Sequence, residues 1–321
     1  MSDPVLVTGG AGYVGSHTVA GLVAAGRRVV VLDDLSTGHR EALRGVPLVV
    51  GSVDDADLVA RTCRAHGVGA VLHFAGRISV AESVRDPALY ERANVVATGV
   101  LAAAVARAGV RRFVFSSSAA VYGNPERVPI PEDHPQRPTS PYGASKGRAE
   151  VVLAASGLDV AALRYFNAAG AEPSLGLGER HDPETHLIPL ALLAARDGTP
   201  LRVFGDDWPT PDGTCLRDYV HVVDLARAHL LAIERLEAGR GGGAWNLGTG
   251  AGASVREVVA AAERATGRRV PVVTAPRREG DPAVLVADPS RAARDLGWRA
   301  SDRSRLDAVV ADAWAFLQRG R

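Results

Sequence analysis

Two cysteines, one methionine and one lysine are the chain's whole supply of those residues. Cys63 and Cys215 are too few for a disulfide framework or a four-cysteine zinc site, and read as small buried residues rather than nucleophiles. Net charge is scarce as well. The 37 basic residues against 36 acidic ones leave +1, so bulk electrostatics draw the chain neither to nucleic acid nor to a membrane surface. Apolar runs such as residues 100–106 are far too short to span a bilayer. The chain passes from Met1 through Asp3 straight into a strand-like run with no basic region before it. No signal peptide is expected, and a reduced cytoplasmic setting is the default. What is present is 321 residues, 46% of them hydrophobic, enough for one large or two ordinary domains with ample core.

All basic positions other than Lys146 are arginine. A bias in nucleotide composition explains the arginines but not the one lysine that was spared. Either its place on the surface is an accident, or its compact ammonium does something a guanidinium cannot.

The first half alternates short β-branched runs with helical stretches. Residues 4–8, 28–32, 48–50, 70–74 and 112–116 read as strands, nearly continuously apolar, as strands covered on both faces should be. Residues 15–25, 56–66 and 88–108 read as helices. A further helix over 142–155 follows Ser140-Pro141, and a strand over 160–165 follows that. The alternation predicts an α/β fold with a doubly wound parallel sheet. After Asn167 the texture changes. Residues 170–183 and 204–215 are Gly- and Pro-punctuated loops, and long loops tend to carry function. The expected division is a nucleotide-binding domain over 1–166 and a smaller mixed α/β substrate domain over 167–321. Residues 219–246 should return to the main sheet, and two amphipathic helices should lie in the tail from 255. There is no internal repeat.

The first strand runs into Gly9, Gly12 and Gly15, spaced G-x-x-G-x-x-G ahead of a helix. Glycines there let backbone N–H groups approach a pyrophosphate at the helix N-terminus. The second strand ends at Asp33, 18 residues after Gly15. A carboxylate in that place accepts hydrogen bonds from adenosine ribose and repels a 2′-phosphate, which favours NAD over NADP; Asp34 can share the task. Downstream, Tyr142 and Lys146 lie four apart on one helix face, and the strand over 112–116 ends in Ser116-Ser117-Ser118. A free phenol, with a pKa of about 10, is a poor base near neutrality. A neighbouring ammonium, with the positive nicotinamide ring, favours the phenolate and can also hold the nicotinamide ribose, while a strand-end serine bonds the substrate oxygen as its proton moves. That reading gives the sole lysine a reason.

Five segments together resemble the extended short-chain dehydrogenase/reductases. They are Thr8-Gly9-Gly10-Ala11-Gly12-Tyr13-Val14-Gly15, His73-Phe74-Ala75-Gly76, Ser116-Ser117-Ser118-Ala119-Ala120-Val121-Tyr122-Gly123, Pro141-Tyr142-Gly143-Ala144-Ser145-Lys146 and Arg164-Tyr165-Phe166-Asn167. The likeness covers essentially the whole chain and implies a Rossmann-like sheet. It implies that Tyr142 is the base, that Ser118 pairs with it and that Lys146 binds cofactor. It also implies an NAD site lined by Tyr13, Val14, Ser52, Val53, Phe74, Ala75, Gly76, Ser116 and Tyr165, with Asn94 in support. Within the family the chain is most similar to enzymes that invert C4 of UDP-sugars, such as UDP-glucose and UDP-galactose, through a 4-keto intermediate. Family dehydratases carry an Asp-Glu pair where Ala119 and Ala120 stand, and family reductases generally use NADPH, against which Asp33 argues.

For the UDP-sugar, the resemblance implies contacts from Ser118, Tyr142, Phe166, Asn167, His186, Leu187, Phe204, Arg217, Tyr219, Arg278 and Asp281, the last two within Arg277-Arg278-Glu279-Gly280-Asp281. Forked arginine donors suit a diphosphate. It further implies a homodimer. Three residues depart from the family pattern: His186 stands where asparagine is common, Ser52 where an acid is, and Leu285 where some members carry a large aromatic beside the sugar. A smaller residue at 285 admits N-acetylhexosamines, and a UDP-pentose is a further alternative; a non-catalytic NAD-sensing protein is the alternative from another class. His181, Glu184 and His186 lack the His-Glu-x-x-His spacing and sit in a loop, so no metal is expected. His73, at a strand end, reads as a packed, hydrogen-bonded histidine.

Overall fold

A computed structural model describes residues 3–278 and 280–319. Along the first half the chain forms β1 (Val5–Thr8), α1 (Tyr13–Ala24), β2 (Val29–Asp33), β3 (Leu48–Val50), α2 (Ala56–His66), β4 (Ala70–His73), α3 (Val80–Arg85), α4 (Pro87–Tyr90), α5 (Ala97–Arg107), β5 (Arg112–Ser118), α6 (Pro141–Ala154) and β6 (Asp159–Tyr165). Then come β7 (Asn167–Ala169), α7 (Leu187–Asp197), β8 (Leu201–Phe204), β9 (Leu216–Arg217), β10 (Tyr219–His221), α8 (Val222–Glu237), β11 (Gly243–Leu247), β12 (Ala253–Ser254), α9 (Val255–Thr266), β13 (Val272–Ala275), β14 (Val284–Leu285), α10 (Ser290–Asp295) and α11 (Leu306–Gln318).

Seven parallel strands form the main sheet in the order β11-β6-β5-β4-β1-β2-β3. The period of two sorts their side chains onto two covered faces. Val5 and Val7 of β1 join a core with Leu22, Leu225, Ala232 and Trp245, beneath α1 and α8, while Leu6 joins Val59, Leu101, Leu153 and Phe113 beneath α2, α5 and α6. Strand order reverses between β1 and β4, and their carboxyl ends open the crevice where such sheets bind ligands. A third core packs α7, α9 and α11 through Ile188, Leu192, Val258, Ala262 and Val310. The short strands there form one small mixed sheet, β12-β9-β14, and two parallel pairs, β13-β8 and β10-β7.

Three expectations are corrected. The helix expected over 88–108 is interrupted by a π-helical turn at Glu91–Val96, which carries Asn94. Residues 219–221 do not join the main sheet but pair with β7; α8 and β11 make the return. Among the described residues the tail holds three α-helices, because the short α10 packs Ala292, with Leu296 just after it, into the first core.

Candidate active site

The glycine turn has no room for side chains. Gly9 has φ +69°, and a Cβ on it would lie 2.4 Å from the Ala75 nitrogen; one on Gly15 would lie 2.2 Å from the Gly9 carbonyl oxygen. The turn is thus wedged between the 74–75 backbone, held to Thr8 by N–H bonds of 2.8 and 3.2 Å, and the first turn of α1. Gly12 precedes that helix without a side-chain cap, so the first-turn amides of Tyr13, Val14 and Gly15 form an anion-favouring end. The Tyr13 side chain leaves the turn, and its hydroxyl donates to the Gly170 carbonyl at 2.6 Å. A narrow cleft lies alongside, walled by Ala11, Gly12 and Tyr13 on one side and by Leu177, Arg180 and His181 on the other.

Asp33 shapes the turn. Its carboxylate accepts from Ala11 N–H and Leu35 N–H, both at 2.9 Å. Burial pushes the carboxyl above its ordinary value and these two donors pull it back. Each oxygen keeps a lone pair for a further donor. Asp34 is exposed and caps Ser36 N–H at 2.9 Å. Ser52 is exposed just after β3, and Val53 is buried in the core.

On the other side of the crevice, alternation along β5 sends Ser116 and Ser118 to one face and Ser117 to the opposite one. Ser116 Oγ bonds the Tyr165 hydroxyl, and Ser118 bonds the Tyr142 hydroxyl. Ser117 instead donates to Glu150, which also grips Arg164 through both oxygens. Lys146 is 4% exposed; its Nζ donates to the Ser116 carbonyl at 2.9 Å and lies 5.0 Å from the centre of the Phe115 ring. Burial lowers it to about 8, against the pull of Glu150 one turn on. A Cβ on Gly76 would sit 3.9 Å from Nζ and 2.8 Å from Asn94 Oδ1. Asn94, buried in its π turn, accepts from Arg77 N–H at 2.7 Å and donates to the Arg77 carbonyl and Ser145, both at 3.0 Å. It therefore ties the 74–77 turn to α6.

Burial raises the Tyr142 phenol above its ordinary value, and its bond with Ser118 pulls it back. His73 is held between the hydroxyls of Thr8 at 2.7 Å and Thr98 at 2.9 Å, and burial lowers it to about 3, so it is a neutral packing group.

The substrate candidates fall into two groups. Phe166 is buried with Tyr122 and Ile130, and Leu285 packs against that cluster. Asn167 is half-buried at the start of β7, and Tyr219 beside it belongs to the third core. Farther out, the exposed Arg278 guanidinium stacks 3.8 Å from the centre of the Phe204 ring, and Arg217 lies 4.0 Å from Asp281. Thr139, just before α6, donates to the Gly280 carbonyl at 3.0 Å, which joins this group to the Tyr142 helix. His186 and Leu187 start α7, with His186 Nδ1 against Glu179. Glu279 lies outside the described residues. Sequence reading missed Glu150, Glu179 and the Arg277–Trp208 stack, whose guanidinium lies 4.3 Å from the ring centre. The i+4 spacing from Lys146 was the available signal for Glu150. Glu179 and Trp208 had none.

Residues 5–248 match the sequence profile of the NAD dependent epimerase/dehydratase family. The chain is 51% identical over 320 residues to a UDP-glucose 4-epimerase of Azospirillum brasilense, covering 97% of this chain and 91% of that protein. It superposes with TM-score 0.94 and 49% identity on a UDP-glucose 4-epimerase from Brucella ovis in complex with NAD, over 98% of both chains. The corresponding enzyme of Bifidobacterium longum in complex with NAD+ and UDP matches with TM-score 0.92 and 38% identity, again over 98% of both.

Proposed function

The chain belongs to the NAD dependent epimerase/dehydratase family, and from that premise we propose that it interconverts UDP-glucose and UDP-galactose by oxidising and re-reducing C4′ of the sugar on a retained NAD. The observation that carries this reading is the convergence of Tyr142, Ser118 and Lys146 at the end of β5 beside the 74–77 turn, with Ala119 and Ala120 following where no acid is available to expel water. The wedge at Gly9 and Gly15 and the free lone pairs of Asp33 fit a dinucleotide pyrophosphate and ribose. The residues that would hold it are the first-turn amides of α1, Asp33, the Phe74–Gly76 turn and Lys146. When bound, the dinucleotide supplies a cationic ring that takes the C4′ hydrogen with its electron pair and returns it.

The chain's own residues do the rest. Tyr142 takes the O4′ proton and gives it back, and Ser118 shares that proton through its hydroxyl. The buried phenolate is costly on its own, so the positive charge held at Lys146 matters most once the site is assembled. Arg217 and Arg278 hold the diphosphate and Phe204 and Asp281 the nucleoside, leaving the sugar free to present its other face as the 4-keto form. We assign residues 1–166, with 222–246, to the dinucleotide and the remainder to the nucleotide sugar. Among the described residues no helix is long and apolar enough to cross a membrane.

The finer reading of its assembly is a homodimer. Val84, Val96 and Val151, on α3, at the end of the π turn and on α6, are 63, 54 and 69% exposed, apolar side chains of the kind that association between copies of a chain covers. Sedimentation of the purified protein at twice the chain mass is the expected result, and a monomer at all concentrations refutes it.

NMR of UDP-galactose and UDP-N-acetylgalactosamine incubated with protein purified without added cofactor tests the activity. Turnover with NAD released on denaturation is expected. Acceptance of the N-acetylated sugar would assign Leu285 the role of leaving space. No NAD and no turnover would overturn the reading. Tyr142→Phe should lose about 10²–10⁴-fold in kcat yet keep NAD.

A further inference from the structure

In the loop before α7, Glu179, His181, Glu184 and His186 each present a potential ligand atom, and all four atoms lie within 4.8 Å of one another. The group sits beside the glycine turn, where the Tyr13 ring meets His181 edge-on at 6.2 Å between centres. His181 Nδ1 is 2.8 Å from Glu179 Oε1, and His186 Nδ1 is directed at that same oxygen. Glu184 Oε1 accepts from Thr185 N–H at 2.7 Å and His186 N–H at 2.9 Å, and lies 3.8 Å from His181 Nδ1. The other oxygen, Glu184 Oε2, is buried without a hydrogen-bond partner, on a side chain 5% exposed.

An unserved carboxylate oxygen in a buried site is costly. Two carboxylates among two imidazoles call for positive charge at their centre. Protons on the imidazoles do not meet the need at Oε2, because both Nδ1 atoms are turned to Glu179. A cation serves all four groups together. Two nitrogens and two carboxylate oxygens form a four-ligand set suited to zinc, whereas calcium and magnesium ask for six or more oxygens. Bond lengths near 2.1 Å place tetrahedral ligands about 3.4 Å apart, within small side-chain rotations of the spacing found.

We propose that Glu179, His181, Glu184 and His186 form a structural site for a divalent, zinc-type ion that pins the loop before α7 against the glycine turn. The sequence argues against a metal because the spacing is not that of the helical His-Glu-x-x-His motif and the segment is loop-like; the folded loop, with Glu179 added, supplies what a helix would otherwise provide. Coordination through Nδ1 also fixes the proton of His186 on Nε2, and so sets what that ring offers to a neighbouring ligand.

The test uses untagged full-length protein with its cofactor, stripped by EDTA and dialysed against zinc chloride alone. Plasma mass spectrometry should find one zinc per chain, and Tm should rise on the order of 5 °C at saturation. His181→Gln and Glu184→Gln should each weaken zinc binding at least about tenfold while retaining NAD. Cobalt substituted into the wild type should give the intense visible bands of a four-coordinate site, a readout that needs no variant to fold. Absence of stoichiometric zinc, zinc held equally by both variants, or a six-coordinate cobalt spectrum would each overturn the proposal.

Discussion

Because Lys146 is the only lysine, labelling the chain with ¹³C,¹⁵N-lysine gives one side-chain ammonium whose titration reads the active site directly. Burial lowers that group from an ordinary 10.5 to about 8, with Glu150 opposing. The fall amounts to roughly 3 kcal/mol against the charged form in the folded state. Below about pH 8 both folded and unfolded chains are protonated, and the folded state bears the whole penalty. Between about 8 and 10.5 the unfolded chain holds more protons, so this contribution to stability rises with pH and the penalty disappears. Lys146→Met removes the charge and keeps an apolar stem beside Phe115, but forfeits the bond to the Ser116 carbonyl, worth about 1.5–3 kcal/mol for a charged donor. The balance is a cofactor-free variant up to about 2 kcal/mol more stable than wild type at neutral pH, with that advantage shrinking as pH rises toward about 9.5, and with epimerisation lost. Urea unfolding at the two pH values and the NMR titration measure both quantities. A midpoint near 10.5, or a variant less stable than wild type by a margin independent of pH, would refute the reasoning.

The serines of β5 separate by face. Ser118→Ala should lower kcat about 10²-fold or more with little change in stability, whereas Ser117→Ala should keep kcat and cost about 1.5–3 kcal/mol by removing one of the donors to the Glu150 carboxylate, which Arg164 still serves; steady-state rates and urea midpoints on both variants decide it. Asp33→Asn replaces one of two accepting oxygens with a donor aimed at Ala11 or Leu35 N–H. It should cost about 1–3 kcal/mol and release NAD on gel filtration, so a variant that retains the cofactor at wild-type stability speaks against a double role.

Much of this protein is determined locally. Nearly continuous apolar runs separated by helical stretches dictate a parallel sheet covered on both faces, and the cores above and below β1 hold alternate residues as that requires. Gly9, Gly15 and Asp33 are legible because a turn, a close approach and a strand end each leave a mark in a few consecutive residues. Tyr142 and Lys146 are legible because a helix converts a spacing of four into a shared face.

Tertiary structure decided what no local pattern carries. It split the helix expected over 88–108 with a π turn, so that Asn94 reaches a turn 17 residues back. It paired residues 219–221 with β7, since a three-residue strand bears no record of its partner. Packing also set the charge balance: the Lys146 ammonium is anchored on the Ser116 carbonyl, and burial lowers it while raising the Tyr142 phenol. And it gathered Glu179, His181, Glu184 and His186 from an irregular loop into one pocket. Sequence names the chemistry wherever a regular element fixes the geometry; where a loop or a desolvated pocket fixes it, distance and burial belong to the fold alone.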